Sequence, residues 1–449
     1  MSSDDTIFAL SSARGRAGVA VFRVSGPNAN RAITELTAKP LPKPRQAAIR
    51  HIFEADGTLI DKGLVLWFEG PASFTGENVA EFQIHGGPAV IEAMTECLGQ
   101  VGGLRPAEPG EFTRQAFANG KFDLTEAEGL ADLIVAETSA QRRLALRQMQ
   151  GDLKQRYDAW RASLIGAGAH LEACIDFADE DIPQDLMPGI SARVKDLANE
   201  IRKHLDDNRR GEIIRDGFTI VILGAPNVGK SSLLNALAKR DAAIVSPTPG
   251  TTRDPIEVHL DLAGYAATLI DTAGLRDTDD EIENEGIRRA RAKAASADLR
   301  LAVCSYYGDG IDSRVTAELS AHDALLLNKA DIAPSDSHET VLFRGQTFRI
   351  SAKTGAGLDE LIAWLEQQVT SRLGGSESMP MTRVRHRQAL QAVSNHLAQF
   401  EQNTSANTVQ LDLLAEDLRR AAQELGRITG RIDVEDYLDV IFRDFCIGK

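Results

Sequence analysis

Residues Gly224-Ala225-Pro226-Asn227-Val228-Gly229-Lys230-Ser231-Ser232 carry the types and spacing of a phosphate cradle. Glycine lets consecutive backbone N–H groups turn inward on phosphate oxygens. Lys230 is placed to reach the β- and γ-phosphates, and the Ser231 hydroxyl to hold Mg2+. Three further segments follow in the order a nucleotide site needs them. Asp271-Thr272-Ala273-Gly274 offers a carboxylate that can hold Mg2+ through water and a glycine N–H for the γ-phosphate. Asn328-Lys329-Ala330-Asp331 suits guanine, because the Asp331 carboxylate accepts from N1–H and the exocyclic N2, a pairing adenine cannot make. Ser351-Ala352-Lys353 sets its backbone against the guanine O6. The glycine loop alone predicts a nucleoside triphosphatase, and Asn328 with Asp331 predicts GTP as its substrate.

Between the cradle and Asp271 lies Pro249-Gly250-Thr251-Thr252-Arg253-Asp254. A GTPase places a mobile loop here whose threonine binds Mg2+ and senses the γ-phosphate, and Thr252 is the candidate. After Gly274 comes Leu275, where many GTPases carry a water-orienting glutamine. A leucine cannot orient water, so another group must. One acid of the stretch from Asp277 to Glu285 is a candidate; spacing does not choose which, and most of these acids suit a solvated helix start. Pro226 crowds the path of an arginine finger arriving from a partner. Asn227, beside the phosphates, can instead hold a monovalent cation, with oxygens of Ser246 to Thr251 completing its shell.

These residues need a scaffold, and the apolar pattern supplies one. The run over 218–223 reads as a buried strand feeding the glycine loop, and Leu233, Leu234 and Leu237 start a helical pattern. Strand-like runs at 267–270, 325–327 and 348–350 each end on one of the downstream segments. Residues 214–373 are thus predicted to form a Ras-like P-loop G domain. Residues 1–120 predict a mixed α/β domain, with strands at 6–10, 18–24, 63–68 and 79–84 and helices over 28–36 and from 88 to about 98. There Arg23 and Glu81 sit in otherwise apolar runs, and alternation on a one-sided sheet predicts that each faces water.

From about residue 122 the pattern is helical. Leu153, Tyr157, Trp160, Leu164, Ala167, Leu171 and Ile175 form one stripe, and Ile190, Val194, Leu197, Ile201 and Leu205 another. Leu390, Val393, Leu397 and Phe400, then Leu411, Leu414, Leu418, Leu425 and Ile428, repeat the spacing near the end. Residues 121–213 and 374–449 are read as two parts of one discontinuous bundle interrupted by the G domain, with linkers at 209–212 and 373–378. The fold class is therefore multidomain α/β plus α.

At 449 residues with a net charge of −15, the chain is long enough for several domains and argues against bulk-charge binding of nucleic acid. No run is long enough for a membrane span, and the acidic start lacks a secretory signal. The four cysteines are far apart, which predicts reduced thiols and a cytoplasmic location without a zinc site.

The whole set resembles the MnmE (TrmE) family of tRNA modification GTPases. The resemblance runs over essentially the full chain. It rests on the GTPase segments together with Arg23-Val24-Ser25-Gly26, Ser73-Phe74-Thr75-Gly76-Glu77, His85-Gly86-Gly87-Pro88, Pro109-Gly110-Glu111-Phe112-Thr113, Lys121-Phe122-Asp123-Leu124 and the ending Cys446-Ile447-Gly448-Lys449. It implies a homodimer joined through N-terminal domains that bind a 5-formyltetrahydrofolate-type folate, with Arg23, Glu81, Lys121 and Lys449 lining that site. This replaces the solvent-facing reading of Arg23 and Glu81. It implies Mg2+ on Ser231 and Thr252, K+ on Asn227, Ser246, Thr248 and Thr251, and Glu283 as the catalytic acid. It implies a flavoprotein partner similar to MnmG, in a heterotetramer or larger complex. With that partner an aminomethyl-type group is added to carbon 5 of the wobble uridine of certain tRNAs, the one-carbon unit coming from folate. Cys446 occupies the family's C-terminal cysteine position. Two departures stand out: the prolines of Ser246-Pro247-Thr248-Pro249, and Ala17 where the early loop more usually has glycine. The competing readings are an RNA-binding or ribosome-assembly GTPase, which predicts a basic accessory domain, and a folate-dependent scaffold whose G domain only switches.

Overall fold

The computed structural model describes residues 5–13, 15–176, 186–225, 227–240, 242–244, 257–271, 297–305, 319–332, 343–375, 378–405, 410–432, 438, 441–442, 445 and 448. They belong to two compact units: Met1–Ala131, Gln148–Ala198 and Ala392–Lys449 in the first, Asp132–Arg147 and Asn199–Gln391 in the second.

In the first unit, β1 (Thr6–Leu10), β2 (Ala17–Ser25), β3 (Ala48–Phe53), β4 (Leu59–Phe68), β5 (Val79–Gly86) and β6 (Leu104–Pro106) form one sheet in the order β3-β4-β5-β2-β1-β6. Its pairs are antiparallel except β1 with β6. Side chains alternate between faces along each strand. Phe8, Phe22, Phe82 and Val65 therefore share one buried face, packed with Ala29, Ile33 and Leu36 of α1 (Ala29–Thr37) and Met94 and Leu98 of α2 (Pro88–Gln100). Ile7 and Ala9 turn to the opposite face, where they meet Phe112 of α3 (Glu111–Ala118). Strands β3 and β6 and helix α3 are not among the elements expected from the sequence: β3 carries exposed Ile49 and His51 between its inward residues, and β6 and α3 are short.

The helical region that begins near residue 122 is divided before residue 150. Helix α4 (Leu124–Val135) is followed by α5 (Ser139–Met149), and the Gln141 side chain caps the break by accepting from the Glu137 and Thr138 N–H groups. Helix α6 (Asp152–Asp176) buries the predicted stripe from Leu153 to Leu171, and Cys174, rather than half-buried Ile175, continues it. Helix α7 (Leu186–Leu205) buries Ile190, Val194, Leu197 and Ile201, as its spacing predicts. Helix α6 packs along α12 (Leu411–Thr429), whose Leu414, Leu418, Ala421, Leu425 and Ile428 are buried. Phe442 and Phe445 close this unit against Phe117 and Ala127.

In the second unit, β7 (Phe218–Leu223), β8 (Glu257–Leu262), β9 (Tyr265–Asp271), β10 (Leu299–Ser305), β11 (Ala324–Asn328) and β12 (Gln346–Arg349) run in the order β12-β11-β10-β7-β9-β8. Every pair is parallel except β8 with β9. Parallel strands are buried on both faces, so β7, β10 and β11 are near-continuous apolar runs. Leu233 and Leu237 of α9 (Lys230–Ala238) and Leu361 and Leu365 of α10 (Leu358–Leu373) complete the core.

The linker expected at 209–212 is instead the start of α8 (Arg210–Asp216). Its Gly211 lies so close to the Met381 carbonyl that a Cβ would come within 2.0 Å of the oxygen. Arg387, on α11 (Val384–Thr404), donates to both Glu212 and Asp207. Burial pushes Glu212 upward, but its bonds from Arg387 and Arg209 outweigh that and hold it below the usual carboxylate range. This charge network, rather than loop flexibility, accounts for the polar composition of the segment.

Candidate nucleotide and folate sites

The candidate nucleotide site lies at the carboxyl ends of the parallel strands, where α/β sheets bind ligands. The chain leaves β7 at Gly224, which has a φ of 147° and approaches the Val303 carbonyl so closely that a Cβ would stand 2.3 Å from its oxygen. Both features demand glycine. Asn227 takes a left-handed φ of 63°, and Gly229, with φ 99°, is the residue before α9. The loop leads directly into the N-terminus of α9, where N–H groups without intrahelical partners can receive an anion. Lys230 is buried, and its ammonium folds back on the loop, donating to the Gly224 carbonyl at 2.8 Å and the Ala225 carbonyl at 2.9 Å. Val228 is buried, and Ser232 is exposed on the first turn of α9.

The Ser231 hydroxyl donates to Asp271 Oδ2 at 2.9 Å. Asp271 ends β9 and lies level with Ile222 on β7, so sheet register fixes the carboxylate beside the cradle. A hydroxyl and a carboxylate held together, both hard oxygen donors, fit Mg2+.

The guanine side is assembled from β11 and the segment after β12. Asn328 is 2 % exposed and does not itself point outward to a base. Its Nδ2 donates to the Val228 carbonyl at 2.9 Å, and its Oδ1 accepts from Ala352 N–H at 3.0 Å. Lys329, with φ 68°, donates through Nζ to the Asn227 carbonyl at 2.9 Å. Asp331 is exposed and accepts from the Ser351 hydroxyl at 2.6 Å; that bond holds its carboxyl below the ordinary range. Ala330 N–H donates to the Ile350 carbonyl, while Lys353 is exposed at the turn. Of the two guanine candidates, Asp331 is the one exposed to meet a base edge, and Asn328 ties the loops together.

Several sequence candidates lie outside the described residues: Pro226, Ser246, Pro247, Thr248, Pro249, Gly250, Thr251, Thr252, Thr272, Ala273, Gly274, Leu275, Glu283, Cys446 and Lys449. Of the four K+ candidates, Asn227 is described, and it is exposed beside the cradle.

In the first unit, Arg23 on β2 and Glu81 on β5 are directly opposed across the antiparallel pair. Arg23 Nε and Nη2 both donate to Glu81 Oε1, at 3.0 and 2.9 Å. The pair does not simply face water, since its side chains are only 18 % and 17 % exposed. Phe74 and Phe112 account for the cover: the guanidinium carbon lies 5.1 Å from the Phe74 ring centre and 5.9 Å from that of Phe112. Phe122, beside exposed Lys121, packs on Phe74 with ring centres 5.5 Å apart. Phe74, Phe112 and Phe122 stand inside the quoted motifs, but no sequence signal assigned them a role. Gly448 sits against the end of β1, its carbonyl accepting from the Ser11 hydroxyl at 2.9 Å. A separate cleft of about 840 Å3 is lined by Phe8, Leu10, Phe22, Ile91 and Pro106 among others, but by neither Arg23 nor Glu81.

The chain matches the family model described as the MnmE helical domain over residues 124–446, and that of the GTP-binding protein TrmE N-terminus over residues 6–121. A protein named tRNA modification GTPase MnmE from Paramagnetospirillum magneticum is 52 % identical, covering 99 % of this chain and 100 % of its own length. One of the same name from Parvibaculum lavamentivorans is also 52 % identical, with 99 % and 100 % covered. A mitochondrial 5-taurinomethyluridine tRNA synthase subunit from Danio rerio is 47 % identical over 99 % of this chain and 93 % of its own.

Proposed function

This chain belongs to the MnmE (TrmE) family, and we propose that it hydrolyses GTP to serve the modification of carbon 5 of the wobble uridine in certain tRNAs. The observation that carries the GTPase part is the single Asn328 side chain that joins the phosphate loop at Val228 to the guanine loop at Ala352. Relatives that match along their full length bear the name tRNA modification GTPase.

In this reading the cradle N–H groups and Lys230 bind the phosphates, Ser231 and Asp271 hold the Mg2+ side, and Asp331 reads the guanine edge. With Thr252 as a further ligand, Ser231 and Asp271 would hold Mg2+, which would neutralise developing negative charge on the phosphates. Asn227, Ser246, Thr248 and Thr251 would hold K+, which would supply the positive charge that an arginine finger crowded by Pro226 cannot bring, and Glu283 orients the attacking water. In the N-terminal domain, residues 1–120, Arg23 and Glu81, together with Lys121 and Lys449, bind a 5-formyltetrahydrofolate-type folate. Support for that site comes from the covered Arg23–Glu81 pair, which offers a charged donor and acceptor side by side. The G domain spans 214–373, inserted between bundle segments 121–213 and 374–449. The protein acts as a cytoplasmic homodimer with a flavoprotein partner similar to MnmG. Among the described residues no helix is long and apolar enough to cross a membrane.

Turnover of GTP in KCl and in NaCl tests the cation, and nucleoside analysis of tRNA from a deletion strain tests the pathway. Strong preference for KCl, lost in Glu283→Ala with GTP still bound, is expected. Equal rates in both salts sink the K+ assignment, and an unchanged wobble-uridine profile sinks the tRNA assignment.

A further inference from the structure

Arg23 is fixed more completely than a surface ion pair requires. Glu81 takes its Nε and Nη2 through one carboxylate oxygen, Oε1. Among the described residues, Arg23 Nη1 and Glu81 Oε2 have no hydrogen-bond partner, so the pair keeps one donor and one acceptor edge for another molecule. The guanidinium carbon lies over both the Phe74 and Phe112 rings within the range of a cation–π contact. Phe112 is fully buried and comes from the core of α3. Phe74 is different, because it stands on the loop between β4 and β5 and is half-buried.

That loop is tied down through the residues on either side of Phe74. The Thr75 and Ser25 hydroxyls share a buried hydrogen bond of 2.7 Å. Asn119 Nδ2 donates to the Thr75 carbonyl at 2.8 Å and to Glu77 Oε1 at 3.2 Å. The Ser73 hydroxyl donates to the Glu77 carbonyl at 2.5 Å. Gly76, with φ 83°, packs so tightly on Asn119 that a Cβ would fall 2.8 Å from the Asn119 Cβ. Phe122 then closes on the Phe74 ring. A loop with this many ties presents its aromatic ring at one place, which is how supporting residues fix a binding group.

We propose that Phe74 is a positioning residue for the folate site: its clamped ring, with that of Phe112, holds the Arg23 guanidinium so that its Nη1 edge is presented to the one-carbon carrier. This rests on the assignment of Arg23 and Glu81 to folate. A leucine at residue 74 keeps apolar volume but loses the negative ring face, whereas tyrosine keeps the face.

The test is calorimetric titration of the full-length protein with 5-formyltetrahydrofolate. Phe74→Leu is expected to weaken binding about tenfold and Phe74→Tyr to bind within about twofold of the native protein, with GTP hydrolysis unchanged in both. Asn119→Ala, which releases the loop without touching Arg23, is expected to weaken binding about threefold. It also decides the matter if Phe74→Leu does not fold. Arg23→Ala is the control for the site itself. Native affinity in Phe74→Leu and Asn119→Ala, with binding lost in Arg23→Ala, overturns the positioning role. Native affinity in Arg23→Ala overturns the folate assignment on which it stands.

Discussion

Gly229 lies so close to Asn328 that a Cβ on the glycine would fall 2.3 Å from the Asn328 amide nitrogen. That nitrogen donates to the Val228 carbonyl, while the oxygen of the same amide accepts from Ala352 N–H. One buried side chain therefore joins the phosphate loop to the guanine loop, and the absence of a side chain at Gly229 is what lets it pass.

Replacing Gly229 by alanine removes that clearance and forces a φ of 99° on a residue that disfavours it. Asn328 must then swing away, leaving the Val228 carbonyl and Ala352 N–H without their partner. Gly229→Ala is expected to weaken GTP binding at least tenfold, equivalent to about 1.4 kcal/mol, measured by titration with a fluorescent GTP analogue. Folate binding is expected to be unchanged, and affinity within about twofold of native would mean that the loop yields without loss.

In the proposed function Asp331 reads the guanine edge; it is exposed and accepts from the Ser351 hydroxyl. An asparagine keeps the shape but replaces one acceptor oxygen by a donor, which suits xanthine and opposes the guanine N–H groups. Asp331→Asn is expected to lower GTP affinity about a hundredfold and to gain affinity for xanthosine triphosphate. Since the Ser351 bond holds the Asp331 carboxyl below its ordinary value, native GTP binding is expected to stay level from about pH 8 to about pH 5. A fall within that range that appears for native protein with GTP but not for Asp331→Asn with xanthosine triphosphate, in competition titrations at each pH, would show Asp331 protonating too early for this role.

The strand, glycine loop and helix of the candidate nucleotide site were legible because they coincide in short segments: Phe218–Leu223 leads straight to Gly224 and on to Lys230, the first residue of α9. The asparagine of Asn328-Lys329-Ala330-Asp331 was legible as a motif, but its tie to Val228, 100 residues away, belongs to tertiary structure. Arg23 and Glu81 looked like alternation, since periodicity sees one strand at a time and cannot show that they are opposed in register under Phe74. Helix α8 was hidden for a related reason. Gly211 and Glu212 read as punctuation until Met381 and Arg387, both far along the chain, are packed against them.

Asp123 gives a prediction with a definite sign. It caps α4: Oδ1 accepts from Glu126 N–H and the Thr125 hydroxyl, and Glu126 reaches back to accept from Asp123 N–H. Its Oδ2 is buried with no hydrogen-bond partner among the described residues. Burial, opposed by the Glu126 and Thr125 bonds, pushes the Asp123 carboxyl up to about 6. The folded state thus holds a proton that the unfolded state has already released, and the stabilisation is full below the unfolded value and lost as pH rises through the folded one. A shift of this size corresponds to at most about 3 kcal/mol. Asp123→Asn keeps the capping oxygen and stays neutral, so its unfolding midpoint is expected to rise relative to the native protein between about pH 4 and about pH 6 and to remain higher at about pH 7.5. Thermal unfolding of both proteins across that range checks it. A midpoint difference that does not change with pH would mean that the Asp123 carboxylate is as well solvated folded as unfolded, and that its cap, rather than its proton, is what matters to α4.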